Sequence, residues 1–167
     1  LFDKARYLTT QAKDDSVRYI HNEVGYNFRL TNIQSALGVA QLESLSEFLK
    51  RKKEIRENYL KGIKNISGLN IGSVPQYANN NYWLNILQID PTVYDRNRDD
   101  LMSDLNIQGI ETRPVWHLNH LQKPYSNCQN YEIENALSLI DNTLLLPSGV
   151  RLKDSQIEVI TTLLNNY

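Results

Sequence analysis

The segment GYNFRLTNIQSALGVAQLE (residues 25–43) sets an aromatic ring, an amide and a guanidinium, at Tyr26, Asn27 and Arg29, just ahead of a run with helical character. Arg29 offers a planar fork of donors that matches two oxygens of one anion. Asn27 adds an amide, and a helix starting at Asn32 adds free backbone N–H groups and the positive end of its dipole. These groups together suit a phosphate or a carboxylate. They also fit a plain helix entry, with Asn27 capping locally and Arg29 pairing with a surface carboxylate. A second cluster, Arg113, Trp116, His117 and His120, falls on a loop expected after a strand, where binding groups often sit. Its plain alternative is Trp116 covering a core edge and His117 satisfied by backbone.

Other chemistries find little support. His117 and His120 are three apart, but no Cys or carboxylate stands at complementary spacing and His21 is distant, so no metal site is expected. Cys128 lies in a polar loop without an adjacent base, and no serine occupies a strained elbow, which argues against a self-contained hydrolase. Neither GxGxxG nor a Walker sequence occurs. The basic run 50–53 reads as a solvated helix face.

The elements that must position these groups follow from periodicity. Residues 1–8 read as helix, and TTQAKDDSVRYIHNEV as a polar connector. Thr31-Asn32-Ile33-Gln34 matches a capping box. From there a single helix is expected to about Ile66, because apolar residues recur at helical spacing without a proline; it would be roughly 50 Å long. ISGLNIGSVPQYANN reads as a turn-rich connector and NYWLNILQI (81–89) as a strand ended by Asp90-Pro91. DRNRDDLMSDLNI reads as a short helix broken at Gly109, and GIETRPV (109–115) as a second strand. A loop held by Pro114 and Pro124, a helix near 131–141, the strand TLLLP, a turn at Ser148-Gly149 and a last helix near 153–165 complete the chain. This pattern predicts an α/β (α+β) layer, a small sheet flanked by helices behind a long linking helix. The expected divisions are residues 1–66 and 67–167.

The chain has 167 residues, 41% of them hydrophobic, enough for a buried core. A net charge of -1 leaves no field for nucleic acid or an anionic membrane, so anions must be bound locally. A single cysteine fits a reducing compartment, and cytoplasm is expected. No apolar run approaches the roughly 20 residues that cross a bilayer. The opening LFDKARYL lacks an initiator methionine and reads as mid-helix, which predicts that the chain begins inside a longer protein.

HNEVGYNFRLTNIQSALGVAQLE, KRKKEIRENY, GIETRPVWHLNHLQKPY and LLLPSGVRLKDSQIEVI resemble, in order and across essentially the whole chain, the DegT/DnrJ/EryC1/StrS family of pyridoxal-phosphate-dependent nucleotide-sugar aminotransferases. YLTTQAKDD and YIHNEVGYN are most similar to members that aminate the 4-keto position of UDP-linked N-acetylated sugars, of legionaminic-acid or bacillosamine type. Phe28 and Ser35 depart mildly from the frequent Tyr and Ala.

The resemblance implies the C-terminal part of a fold type I enzyme, a homodimer sharing its sites between subunits. It implies that Asn27 approaches the pyridoxal phosphate of the partner subunit and that Arg29 and Tyr26 lie on the substrate side, Arg29 meeting a carboxylate of L-glutamate or a phosphate of the nucleotide sugar. His117 would line the sugar end, beside Trp116 and Arg113. The lysine that forms the Schiff base with the cofactor would lie upstream on a missing N-terminal large domain, so no catalytic residue is assigned here. Lys4 and Lys13, in polar segments expected to be exposed, do not qualify. Alone, the chain is expected to be inactive. Two other readings are a sugar 3-dehydratase of the same family, with histidine in place of that lysine, and a non-enzymatic α/β dimerisation or binding module. An aminotransferase fragment should expose apolar surface along residues 33–45.

Overall fold

Ile55, Tyr59 and Ile63 recur every four residues, and their complete burial decides where their helix belongs. The computed structural model describes residues 1–15 and 17–167 and divides them into two compact units, Leu1–Leu45 and Ser46–Tyr167. Among the described residues no helix is long and apolar enough to cross a membrane.

The first unit holds α1 (Phe2–Thr9) and α2 (Asn32–Glu43). Thr31 caps α2 as its sequence predicts. Its hydroxyl accepts from the Gln34 amide at 3.3 Å, and the Gln34 side chain accepts from the Thr31 N–H at 2.9 Å. Between the helices the chain folds back on itself: the Gln11 N–H donates to the Tyr26 carbonyl, Tyr26 N–H to Leu8 and Phe28 N–H to Thr9, at 3.0, 2.7 and 3.0 Å. Gly25 permits this approach, since a Cβ there would sit 2.2 Å from the Gln11 carbonyl carbon. None of the α2 residues is buried, and Ile33, Leu37, Val39 and Leu42 are all more than half exposed.

The expected single helix over 32–66 is two helices, because the chain turns at Ser44 between α2 and α3 (Leu45–Ile63). Apolar spacing continues through the break, so periodicity alone could not show it. The core-bearing part of α3 falls in the second unit.

That unit is built on a four-stranded antiparallel sheet in the order β1-β2-β4-β3. The strands are β1 (Leu69–Ile71), β2 (Asn85–Ile89), β3 (Arg113–Pro114) and β4 (Thr143–Leu146). Registers run Leu69↔Ile89, Ile86↔Leu145 and Arg113↔Leu145. β1 lies inside what reads as a connector, since three residues are too few to carry an alternation signal. β2 is shorter than the 81–89 expectation, because Asn80 and Asn81 turn the chain before it by accepting the Tyr82 and Trp83 N–H groups. β3 covers only two of the seven residues expected, and Pro114 supplies no N–H to extend the ladder.

Three helices, α4 (Arg98–Ile107), α5 (Glu134–Asp141) and α6 (Asp154–Leu164), complete the unit. Leu87, Leu144, Leu101, Leu105, Ile157 and Leu164 join the α3 stripe in one core, each such side chain contributing about 1.5–3 kcal/mol by leaving water. Gly62 lets α3 approach α6 closely, for a Cβ there would lie 2.4 Å from the Thr161 methyl.

Candidate functional site

Tyr26 and Phe28 stack their rings with centroids 5.5 Å apart and planes 13° from parallel. In an extended segment, that pairing puts Asn27 and Arg29 on the opposite side. The backbone of Asn27 is bridged to Thr10, so its position is fixed from the main chain. Asn27 and Arg29 are both exposed, and among the described residues neither side chain has a hydrogen-bond or ion-pair partner. The plain reading, Asn27 as a local cap and Arg29 on a carboxylate, is therefore not adopted: Thr31 is the cap. An amide and a planar cation left open on a fixed segment can both donate to an anion.

The turn behind this segment is tied by polar contacts. Asp14 accepts from the Asn22 N–H at 2.8 Å and the Tyr7 hydroxyl at 2.8 Å, and these bonds, the Asn22 one foremost, hold its carboxyl below the usual range. Partial burial, then the bond to Asp14, pushes Tyr7 up to about 12. Lys4 is ion-paired with Glu23, and Lys13 lies 4.5 Å over the Tyr19 ring. Lys4 is exposed as expected, whereas Lys13 is half-buried. Both ammonium groups thus have local partners.

Arg113, Trp116 and His117 belong to the second unit. Arg113 donates to Glu111 at 2.6 and 3.0 Å, but both side chains are about three-quarters exposed, and such a pair holds by only about 0–1 kcal/mol. Trp116 does not cover the core edge. It is 60% exposed and packs against Trp83, with centroids 5.8 Å apart. His117 is exposed, and neither of its ring nitrogens has a hydrogen-bond partner among the described residues.

Trp83 was not singled out from sequence as a site residue, and neither was Lys52. The Lys52 ammonium donates to the Trp83 carbonyl at 2.9 Å and to the Ser148 carbonyl, and burial pushes its pKa down. The basic run 50–53 is thus not uniformly a solvated face: Arg51 and Lys52 turn to carbonyls and carboxylates of the unit, while Lys50 and Lys53 remain exposed. The legible signal was NNNYW at 79–83, three amides leading into two rings.

A short antiparallel sheet backed by helices, preceded in sequence by a helical segment, recurs in solved aminotransferase structures. The chain superposes on the aminotransferase TlmJ from Streptoalloteichus hindustanus with a TM-score of 0.80, at 24% identity, over 98% of this chain and 43% of that one. It belongs to the DegT/DnrJ/EryC1/StrS aminotransferase family, which it matches over residues 1–165. It is 33% identical to a Bacillus subtilis protein provisionally named pyridoxal phosphate-dependent aminotransferase EpsN, over 99% of this chain and 43% of the relative. It is 32% identical to GDP-perosamine synthase of Escherichia coli O157:H7, over 100% of this chain and 44% of the relative. The chain therefore spans less than half the length of these curated relatives.

Proposed function

We propose that the full-length protein carrying this chain is a pyridoxal-phosphate-dependent aminotransferase that moves an amino group from L-glutamate to a nucleotide-linked keto sugar. The finer reading favours a UDP-linked N-acetylated 4-keto sugar, on the similarity of YLTTQAKDD and YIHNEVGYN. The enzyme works as a cytoplasmic homodimer whose N-terminal large domain supplies the cofactor-bearing lysine. Bound pyridoxal phosphate would supply the electron sink and the amino-group carrier.

The observation that carries this reading is the pair of open donors, Asn27 and Arg29, on a segment fixed by backbone bonds to residues 8–11. Asn27 donates its amide to the cofactor phosphate of the partner subunit. Arg29 takes a carboxylate of the amino donor or a phosphate of the sugar nucleotide. In the second unit His117, with Trp116 and Arg113 beside it, lines the sugar end. The exposed apolar face of α2 supports the reading, because such a face is expected where further protein packs.

A hydrogen bond to a charged group contributes about 1.5–3 kcal/mol, so Asn27→Ala in the full-length protein should weaken cofactor retention by roughly 10- to 100-fold. Bound cofactor per subunit after gel filtration measures it. Retention equal to the parent protein would remove Asn27 from the phosphate site.

A further inference from the structure

A groove of about 460 Å³ runs between the start of α3 and the Asn79–Tyr82 loop, lined by Leu49, Lys50, Lys53, the three asparagines and Tyr82. No carboxylate lines it. Within residues 50–56 the other cations already have protein partners. Arg51 holds Glu54, Asp154 and the Leu152 carbonyl; Lys52 holds two carbonyls; and Arg56 donates to the Gly72 carbonyl at 2.7 Å with its guanidinium 5.2 Å from the Tyr82 ring centroid. Lys50 and Lys53, one helical turn apart and so on one face, have no hydrogen-bond or ion-pair partner among the described residues. Glu54, the carboxylate next to Lys53 in sequence, is taken by Arg51 at 3.2 Å.

The opposite wall is held under strain. Tyr82 has φ of +50°, a left-handed conformation that an aromatic residue rarely adopts. It is kept there by the Asn80 oxygen on its own N–H at 2.7 Å, the Asn81 oxygen on the Trp83 N–H at 3.0 Å, and Lys52 on the Trp83 carbonyl. With those oxygens committed to the backbone, the Asn80 and Asn81 side chains retain their N–H₂ groups as donors. Two ammonium groups and a row of amides thus border one concavity that no carboxylate lines, with Glu47 and Glu57 of α3 outside its lining.

We propose that this groove binds a phosphate-bearing ligand of diphosphate density, with Lys50 and Lys53 as its charged contacts. Two sources share that chemistry: the diphosphate of the nucleotide sugar and a separate phosphorylated effector. Assigning the ligand to the first source rests on the function proposed above, whereas phosphate binding itself does not.

Titration of the full-length protein with inorganic pyrophosphate and with UDP, by calorimetry, tests the proposal. Lys50→Gln/Lys53→Gln should weaken pyrophosphate binding about tenfold or more and flatten its salt dependence. Lys61→Gln/Lys64→Gln, with the same change of charge, should leave it unaltered. Parallel weakening of UDP would identify the nucleotide as the source. Unchanged UDP with weakened pyrophosphate would identify a separate phosphate ligand. Pyrophosphate binding that is absent from the parent protein, or equal in both double variants, would overturn the groove as a phosphate site. Cofactor content, recorded on the same samples, reports separately on the aminotransferase reading.

Discussion

Gly25→Ala should strip the full-length enzyme of its cofactor more completely than loss of the Asn27 side chain does. The new Cβ would lie 2.2 Å from the Gln11 carbonyl carbon, 2.3 Å from the Ala12 nitrogen and 2.7 Å from the Ala12 Cβ. Two of these are backbone atoms, which cannot swing aside. Gln11 and Ala12 are themselves confined to positive φ, 75° and 45°, and Ala12 is fully buried. The segment carrying Tyr26, Asn27 and Arg29 must therefore move, and with it the three backbone hydrogen bonds that fix it. Overpacking costs about 1–3 kcal/mol and each lost bond about 1 kcal/mol, so a fall in cofactor affinity of at least roughly 100-fold is expected. Bound cofactor per subunit checks it. Near-parental occupancy would mean that the geometry of this turn does not govern the phosphate contact.

Tyr59→Ala should destabilise the Ser46–Tyr167 unit by about 3–5 kcal/mol, the usual cost of truncating a large buried ring. Tyr59 is fully buried in the core, and its hydroxyl donates to the Pro147 carbonyl at 2.9 Å. Tyr59→Phe separates the contributions, since it keeps the ring and loses only the hydrogen bond, about 1 kcal/mol. Urea unfolding of the purified protein measures both. A loss below about 1 kcal/mol for the alanine variant would show that α3 is not anchored through this residue.

Much of the framework was legible because local signals and tertiary structure agree. Thr31 and Gln34 form the capping box that their spacing predicts, and the helices α1, α4, α5 and α6 fall within a few residues of the apolar patterns that mark them. The break at Ser44 was hidden because Leu42, Leu45 and Leu49 keep helical spacing through it. β1 was hidden because its partner is β2, twenty residues on from Leu69 to Ile89, and three residues show no period of their own.

For the candidate site, residue types were legible and their arrangement was not. Asn27 and Arg29 could be named from sequence, but that their side chains stay open, while Thr31 does the capping, depends on hydrogen bonds that residue order does not specify. His117 and Trp116 were visible as polar and aromatic loop residues. The tilted packing of Trp116 on Trp83, thirty-three positions away, was not. Likewise the basic run 50–53 divides only when the helix meets its neighbours: Lys52 turns to the carbonyls of Trp83 and Ser148, and Lys50 and Lys53 face a groove.

The most direct measurement is an absorbance spectrum of the full-length protein loaded with pyridoxal phosphate, recorded before and after one equivalent of L-glutamate. An aminotransferase converts the cofactor to its pyridoxamine form and releases an equal amount of 2-oxoglutarate, and this is the expected result. A loaded protein whose spectrum is unchanged by glutamate, with no 2-oxoglutarate formed, would contradict it.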